Sequence, residues 1–227
     1  MRIRSFIIAY ALVLAILLFA DRRPGSMQQD RYSHVVDLTD GLTAVPSHGS
    51  IFESRTRIIA PGALIPGTWS AAQIPAERLI APLVVVDIDG DGLKNATQIS
   101  LDDIAAWELH HGMIPQGSVI AIRRPALPST KDLTATPFPV ARDAAEFLID
   151  ARSTIGFAIE TLVDLSSDRT LATQIALHGN YVVQGTARFT ALPATGSLII
   201  VAPAVAPARN KTVADSNSNV RVLVMVR

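Results

Sequence analysis

The 227 residues carry 20 basic and 20 acidic side chains, a hydrophobic fraction of 49% and no cysteine. That length supports one globular domain with a sizeable core, and the balanced charge offers no basic face to a phosphate backbone, so nucleic acid is not an expected partner. Without cysteine there is no disulfide framework, thiolate nucleophile, iron–sulfur cluster or Cys-bound zinc.

Arg2 and Arg4 precede an uncharged run from Ser5 to Ala20 (SFIIAYALVLAILLFA), which Asp21, Arg22, Arg23, Pro24 and Gly25 close. A basic start before an apolar stretch reads as an export signal, which predicts a periplasmic or secreted chain. The run also nearly reaches the length of a spanning helix, so an uncleaved membrane anchor over residues 5–20 is the alternative, and the only membrane contact expected. Residues 21–33 are polar with a Pro-Gly turn and read as a linker, leaving residues 34–227 as the domain.

Short runs rich in valine and isoleucine then recur: Pro82–Ile88, Ser118–Arg123, Ile155–Thr161, Tyr181–Gln184, Leu198–Ala202 and Val220–Val226. Their length and β-branched content predict buried strands. Two stretches between them have helical periodicity. Ser100 and Asp103 form a capping-box pattern for a helix over Leu101–His111, with Ile104, Trp107 and His111 on one side and Gly112 as its stop. Val140–Arg152 places Ala144, Phe147, Leu148 and Ala151 on one face. The Ala-Pro stretch at Ala202–Ala208 reads as a loop or strand bend. The pattern predicts an α/β fold with more strand than helix.

Asp87, Asp89 and Asp91, followed by Gly92, reproduce the opening of a calcium loop, but Gln98 stands where a bidentate carboxylate should close the shell. A polar turn ahead of the capped helix is the preferred reading of that stretch. His34, His48, His110, His111 and His178 have no metal-ligand spacing with one another or with a suitable acid. Histidine near a helix C-terminus, as at His110 and His111, is favoured by the dipole alone. Ser47-His48-Gly49-Ser50 sets a nucleophile beside a base only in sequence. No nucleophile elbow, phosphate loop or dinucleotide fingerprint is present. Asn95 and Asn210 open glycosylation sequons.

Gln73–Ile88 (QIPAERLIAPLVVVDI), followed by the capped helix and Trp107–Gly117 (WELHHGMIPQG), closely resembles the cyclase-like family that includes kynurenine formamidase. Val36-Asp37-Leu38-Thr39 resembles that family's opening D-L-T-H strand, with Asp40 where histidine is usual. Ala144–Thr161 resembles its helix and strand ending in G-I-D-T. His178–Ser197 and Val220–Arg227 resemble its closing strands. The resemblance implies a mixed sheet or barrel-like core with flanking helices, the swivelling β/β/α fold, over nearly all of residues 34–227.

The resemblance also implies a hydrolase holding zinc or manganese through an H-x-G-T-H-x-D-x-P-x-H signature and a later His and Glu, ligands that make a nucleophile of a metal-bound water. Aligned on Ala60-Pro61, the signature's first His is Glu53, its Gly is Arg55, its Thr is Thr56, its second His is Arg57, its Asp is Ile59 and its last His is Ala63. Anchored on His178-Gly179, the late His is Ala172 and the late Glu is Gln184. An alignment that matches Ser54-Arg55-Thr56 to an earlier stretch removes the ligands equally. Residues 124–139 and 161–172 are also abbreviated. The expectation is a catalytically inactive, exported binding or scaffold domain with no cofactor, whose partner is a small molecule, a protein or a second copy. The alternative is a zinc- or manganese-dependent amidohydrolase acting on an aryl formamide such as N-formylkynurenine (tryptophan catabolism) or a related cyclic amide or ester. It would draw ligands from Glu53, Asp37, Asp40, His48 or His178, or from a second subunit.

Overall fold

Valine and isoleucine recur at neighbouring positions in the central runs because strands covered on both faces need apolar side chains on both. In Leu83-Val84-Val85-Val86 all four are buried, and successive side chains enter two different cores. The computed structural model describes residues 32–40, 55–88, 98–123, 136–204 and 217–227. Ser33–Val226 forms one compact unit. The export or anchor segment and all but the end of the linker lie outside the described residues.

The strands are β1 (His34–Asp37), β2 (Arg57–Ile59), β3 (Ile80–Asp87), β4 (Val119–Arg123), β5 (Thr136–Pro137), β6 (Gly156–Ile159), β7 (Val163–Asp164), β8 (Tyr181–Gln184), β9 (Ser197–Pro203) and β10 (Asn217–Val226). The helices are α1 (Pro61–Leu64), α2 (Leu101–His111), α3 (Arg142–Asp150) and α4 (Arg169–Leu177). The main sheet runs β1-β10-β2-β8-β6-β4-β3-β9, and β9 pairs with β10 as well. That last pairing closes a ring of seven strands. β1 and β2 take successive stretches of one edge of β10, and β9 takes the other. Closure removes the exposed edges that an open sheet would present.

Four neighbouring strands, β3, β4, β6 and β8, are parallel. Parallel neighbours require crossovers, and α2, α3 and α4 supply them in turn. One core, with Leu38, Ile58, Leu83, Val85, Tyr181 and Val222, is enclosed by the ring. The other, with Ile104, Trp107, Leu148, Phe157, Ile175 and Val182, lies between the ring and the helices. This is the α/β fold that the sequence pattern predicts, with the barrel-like core and flanking helices that the family resemblance implies.

The capping box forms as read. Ser100 Oγ accepts the Asp103 N–H at 3.2 Å, Asp103 accepts the Ser100 N–H at 2.8 Å, and Gly112 ends α2 with φ of 88°. Trp107 anchors α2 by donating its Nε1–H to the Val85 carbonyl at 3.0 Å. The second helix is shorter than expected, Arg142–Asp150, because Val140 instead joins a bridge to Ile99. Its buried face is Ala144, Ala145, Leu148 and Ile149; Ala151 is exposed and Phe147 half-buried. The helix α4, unread in the sequence, starts at Asp168, whose carboxylate accepts the Leu171 N–H at 3.1 Å. Ala202 and Pro203 extend β9, and residues 205–208 lie outside the described residues.

Candidate functional site

In sheets with parallel strands, ligand sites gather at the carboxyl ends. The register places Asp87 beside Arg123 at the ends of β3 and β4, Ile122 beside Ile159, Ile159 beside Gln184, and Gln184 beside Arg57 at the start of β2. Polar residues therefore flank this row at one end of the ring, Asp87 and Arg123 on one side and Gln184 and Arg57 on the other, with Ile122 and Ile159 between them.

At one side of that row Arg123 grips Asp87 through Nε to Oδ1 and Nη2 to Oδ2, the second at 2.8 Å. Its Nη1 donates to the Leu192 carbonyl at 2.9 Å and the Phe189 carbonyl at 3.3 Å. The Asp87 carboxylate holds the guanidinium charged, pushing its pKa further up. Both charges are thus committed to tying β3, β4 and the turn at Phe189–Ala191 together. Asp87, the first position of the calcium-loop pattern, is one arm of this clamp. Asp89 and Asp91 lie outside the described residues, and Gln98 donates its Nε2–H to the Phe138 carbonyl at 2.9 Å.

At the other side, Thr56 is fully buried. Its hydroxyl donates to the Gly185 carbonyl at 2.7 Å and accepts the Asp40 N–H at 2.8 Å, joining the end of β8 to the chain after β1. Gly185 has φ of 67°, and a Cβ there would lie 2.5 Å from the Arg55 carbonyl oxygen, so this approach admits only glycine. Neither this clasp nor the Asp87–Arg123 clamp was legible as a unit in sequence. Asp87 and Arg123 stand near the ends of apolar runs, but no sequence pattern sets them beside each other or Thr56 beside Gly185.

Of the positions aligned with the signature, the structure brings Arg57 and Gln184 together. Ile59 and Ala172 pack in the core beneath the helices, and Gln184, which alternates with the ring-core residue Val183, faces the same side beside Arg57. Ala63 is exposed on α1, and Glu53 lies outside the described residues. A divalent metal does not fit this donor set. Ile59, at 8% exposure, and Ala172 bring methyl groups, Arg57 brings a cation, and Gln184 Oε1 already accepts the Val163 N–H at 2.9 Å. Among the described residues no three His, Asp or Glu side chains gather where an ion could be held.

The substitute ligands do not meet either. Asp37 accepts from Thr39 and from Arg221 at 3.2 Å, and Asp40 lies 3.8 Å from Arg55. His178 pairs with Asp150 at 3.5 Å, next to the first residues of β8, whereas Gln184 is its last. Asp37 and Asp40 are therefore held by arginines, and His178 stands at the far end of β8 from the row. His111 lies against Trp107 with ring centroids 4.8 Å apart, and His110 Nδ1 reaches the Ala106 carbonyl at 2.7 Å, so the adjacent pair diverges. His48 and both sequons lie outside the described residues.

The Cyclase family model matches residues 49–164, just over half of the chain. The chain belongs to the Cyclase family. Among solved structures it is similar to isatin hydrolase A from Ralstonia solanacearum, at 25% identity and TM-score 0.66, covering 86% of this chain and 92% of that one. Isatin hydrolase A from Labrenzia aggregata, bound to benzyl benzoate, shares the fold at 24% identity and TM-score 0.63, covering 85% and 93%. A "predicted metal-dependent hydrolase" from Bacillus stearothermophilus shares it at 22% identity and TM-score 0.53, covering 86% and 98%. No curated protein matches the chain.

Proposed function

We infer that this chain is a Cyclase-family domain that binds without metal-dependent hydrolysis, an exported scaffold whose partner is a small molecule, a protein or a second copy. The observation that carries the reading is the Arg57–Gln184 pair. A permanent cation occupies the signature's second histidine position, and the carbonyl oxygen of the neighbouring amide is spent on the backbone of β7. Water activation at neutral pH needs imidazole or carboxylate ligands around an ion, and those positions no longer supply them. The apolar run Ser5–Ala20 supports export.

The competing reading is an active zinc- or manganese-dependent amidohydrolase, and the likeness to isatin hydrolase A favours it. Metal content after dialysis against trace zinc and manganese separates the two, together with turnover of N-formylkynurenine and isatin. The binding reading expects no retained ion and no chelator-sensitive turnover. About one tightly held ion per chain, with turnover that EDTA abolishes, would replace it with the hydrolase.

A further inference from the structure

Arg78 ends a short 3-10 turn, Ala76–Arg78, and reaches across to the corner where α4 gives way to β8. Its Nη2 donates to the His178 carbonyl at 3.3 Å, the Gly179 carbonyl at 3.2 Å and Asn180 Oδ1 at 3.1 Å. Tyr181 fixes the backbone there by donating its hydroxyl to the Arg78 carbonyl at 2.9 Å. Trp69 stacks beside the guanidinium, with 5.7 Å from Cζ to the ring centroid, and its ring lies 2.7 Å from where a Cβ on Gly179 would stand.

Two N–H groups of this cluster lack an acceptor. Arg78 Nε and Asn180 Nδ2 are both shut off from solvent and have no hydrogen-bond partner among the described residues, and Asn180 is fully buried. Exchanging the oxygen and nitrogen of the Asn180 amide does not help, because Nδ2 would then face the Arg78 donor. The Nη2–Oδ1 contact sets the carboxamide against the guanidinium, so the two orphan donors sit on touching groups. Among the described residues no carboxylate comes within ion-pair distance of Arg78. Burial pushes its pKa below the ordinary value, as expected of a cation short of a counter-charge. Buried donors and an uncompensated cation are costly until an acceptor completes them, and an anionic oxygen meets both needs. We propose that Arg78 and Asn180, beside Trp69, form a binding site for a small oxyanion, a carboxylate or a phosphate. Arg78 is half-buried and Trp69 38% exposed, which leaves the site open to solvent. It lies where β8 begins, whereas Gln184 ends that strand, so it is separate from the Arg57–Gln184 pair and independent of whether the chain hydrolyses anything.

The test is the melting temperature of the full chain in sodium phosphate or sodium acetate, against sodium chloride of equal ionic strength. At about fivefold above its Kd the anion is expected to raise Tm by ~2–4 °C. Phosphate also stabilises folds generally by exclusion from their surface. Asn180→Asp separates the two effects, because it supplies the carboxylate from within and leaves only the general share. Arg78→Lys, which keeps a charge but has no Nε–H, is expected to lose most of the specific shift, while Arg188→Gln, at an exposed arginine elsewhere, keeps it. Fluorescence of Trp69, the more exposed of the two tryptophans, should follow the same saturable curve. A response to phosphate alone assigns a phosphoryl group, and one to acetate alone a carboxylate. No shift beyond chloride, or equal shifts in the wild type and both variants of the pair, overturns the proposal and means that water completes the two donors.

Discussion

Arg57 and Gln184 are cross-strand partners where β2 begins and β8 ends, a guanidinium beside a carboxamide. Neighbours in this register stand ~5 Å apart, close enough for both side chains to define one small volume. Ile59 and Ala172 pack with the core beneath the helices on that side, and Gln184 Oε1 accepts the Val163 N–H.

Metal binding should therefore not return with one substitution. Arg57→His alone is expected to leave zinc and manganese titrations flat. Arg57→His, Ile59→Asp, Ala63→His, Ala172→His and Gln184→Glu together are the expected minimum for loading. Without metal, that variant should melt earlier, because Ile59→Asp puts a carboxylate in an apolar site. Calorimetric titration checks it, and zinc held by the Arg57→His variant alone would show that ligands come from elsewhere.

Gly185→Ala should be costly for its size. A left-handed φ of 67° costs an alanine ~1 kcal/mol, and the 2.5 Å approach to the Arg55 carbonyl forces the clasp at Thr56 to shift as well. A loss of ~2 kcal/mol or more in urea denaturation is expected. A change within experimental error would mean that the chain near Arg55 yields freely.

The Glu108–Arg152 pair gives an acid-sensitive link between α2 and α3. Arg152 donates to both carboxylate oxygens, at 2.6 and 2.7 Å, stacks on Phe147, and leaves Glu108 free to accept the Ile114 N–H at 2.9 Å. The side chains are 15% and 19% exposed. Arg152, foremost, holds the Glu108 carboxyl below its ordinary value of 4.5. A lowered folded value stabilises the fold fully above 4.5, and the contribution disappears as the pH falls through the lower value. Glu108→Gln is expected to cost ~1.5–3 kcal/mol near pH 7 and to flatten the loss of stability below pH 4.5. Parallel acid profiles for the two proteins would remove Glu108 from that loss.

Ser100→Ala tests the capping box by itself. It removes the acceptor of the Asp103 N–H at the start of α2, for an expected ~1 kcal/mol. Hydrogen exchange should show the loss confined to the first turn of that helix, and uniform deprotection would show that α2 unfolds with the whole domain.

The sequence alone determined those elements whose causes are local. Short apolar runs, most of them rich in valine and isoleucine, specify β3, β4, β6, β8, β9 and the main part of β10 because a pleated, doubly covered surface needs apolar side chains on both faces, whatever the partner. Ser100, Asp103 and Gly112 specify α2 because capping groups lie within a few residues of the backbone they satisfy. Other features required residues far apart in the chain to meet. Only the folded ring brings Arg123 to Asp87, Thr56 to Gly185 and Gln184 to Val163, at separations of 36, 129 and 21 residues. The four-residue α1 and the two-residue β5 and β7 are likewise held by tertiary pairing, being too short for periodicity to register. Closure by β9 and β10, and the outward turn of Leu109, depend on which face each element buries, and packing against the rest of the molecule decides that.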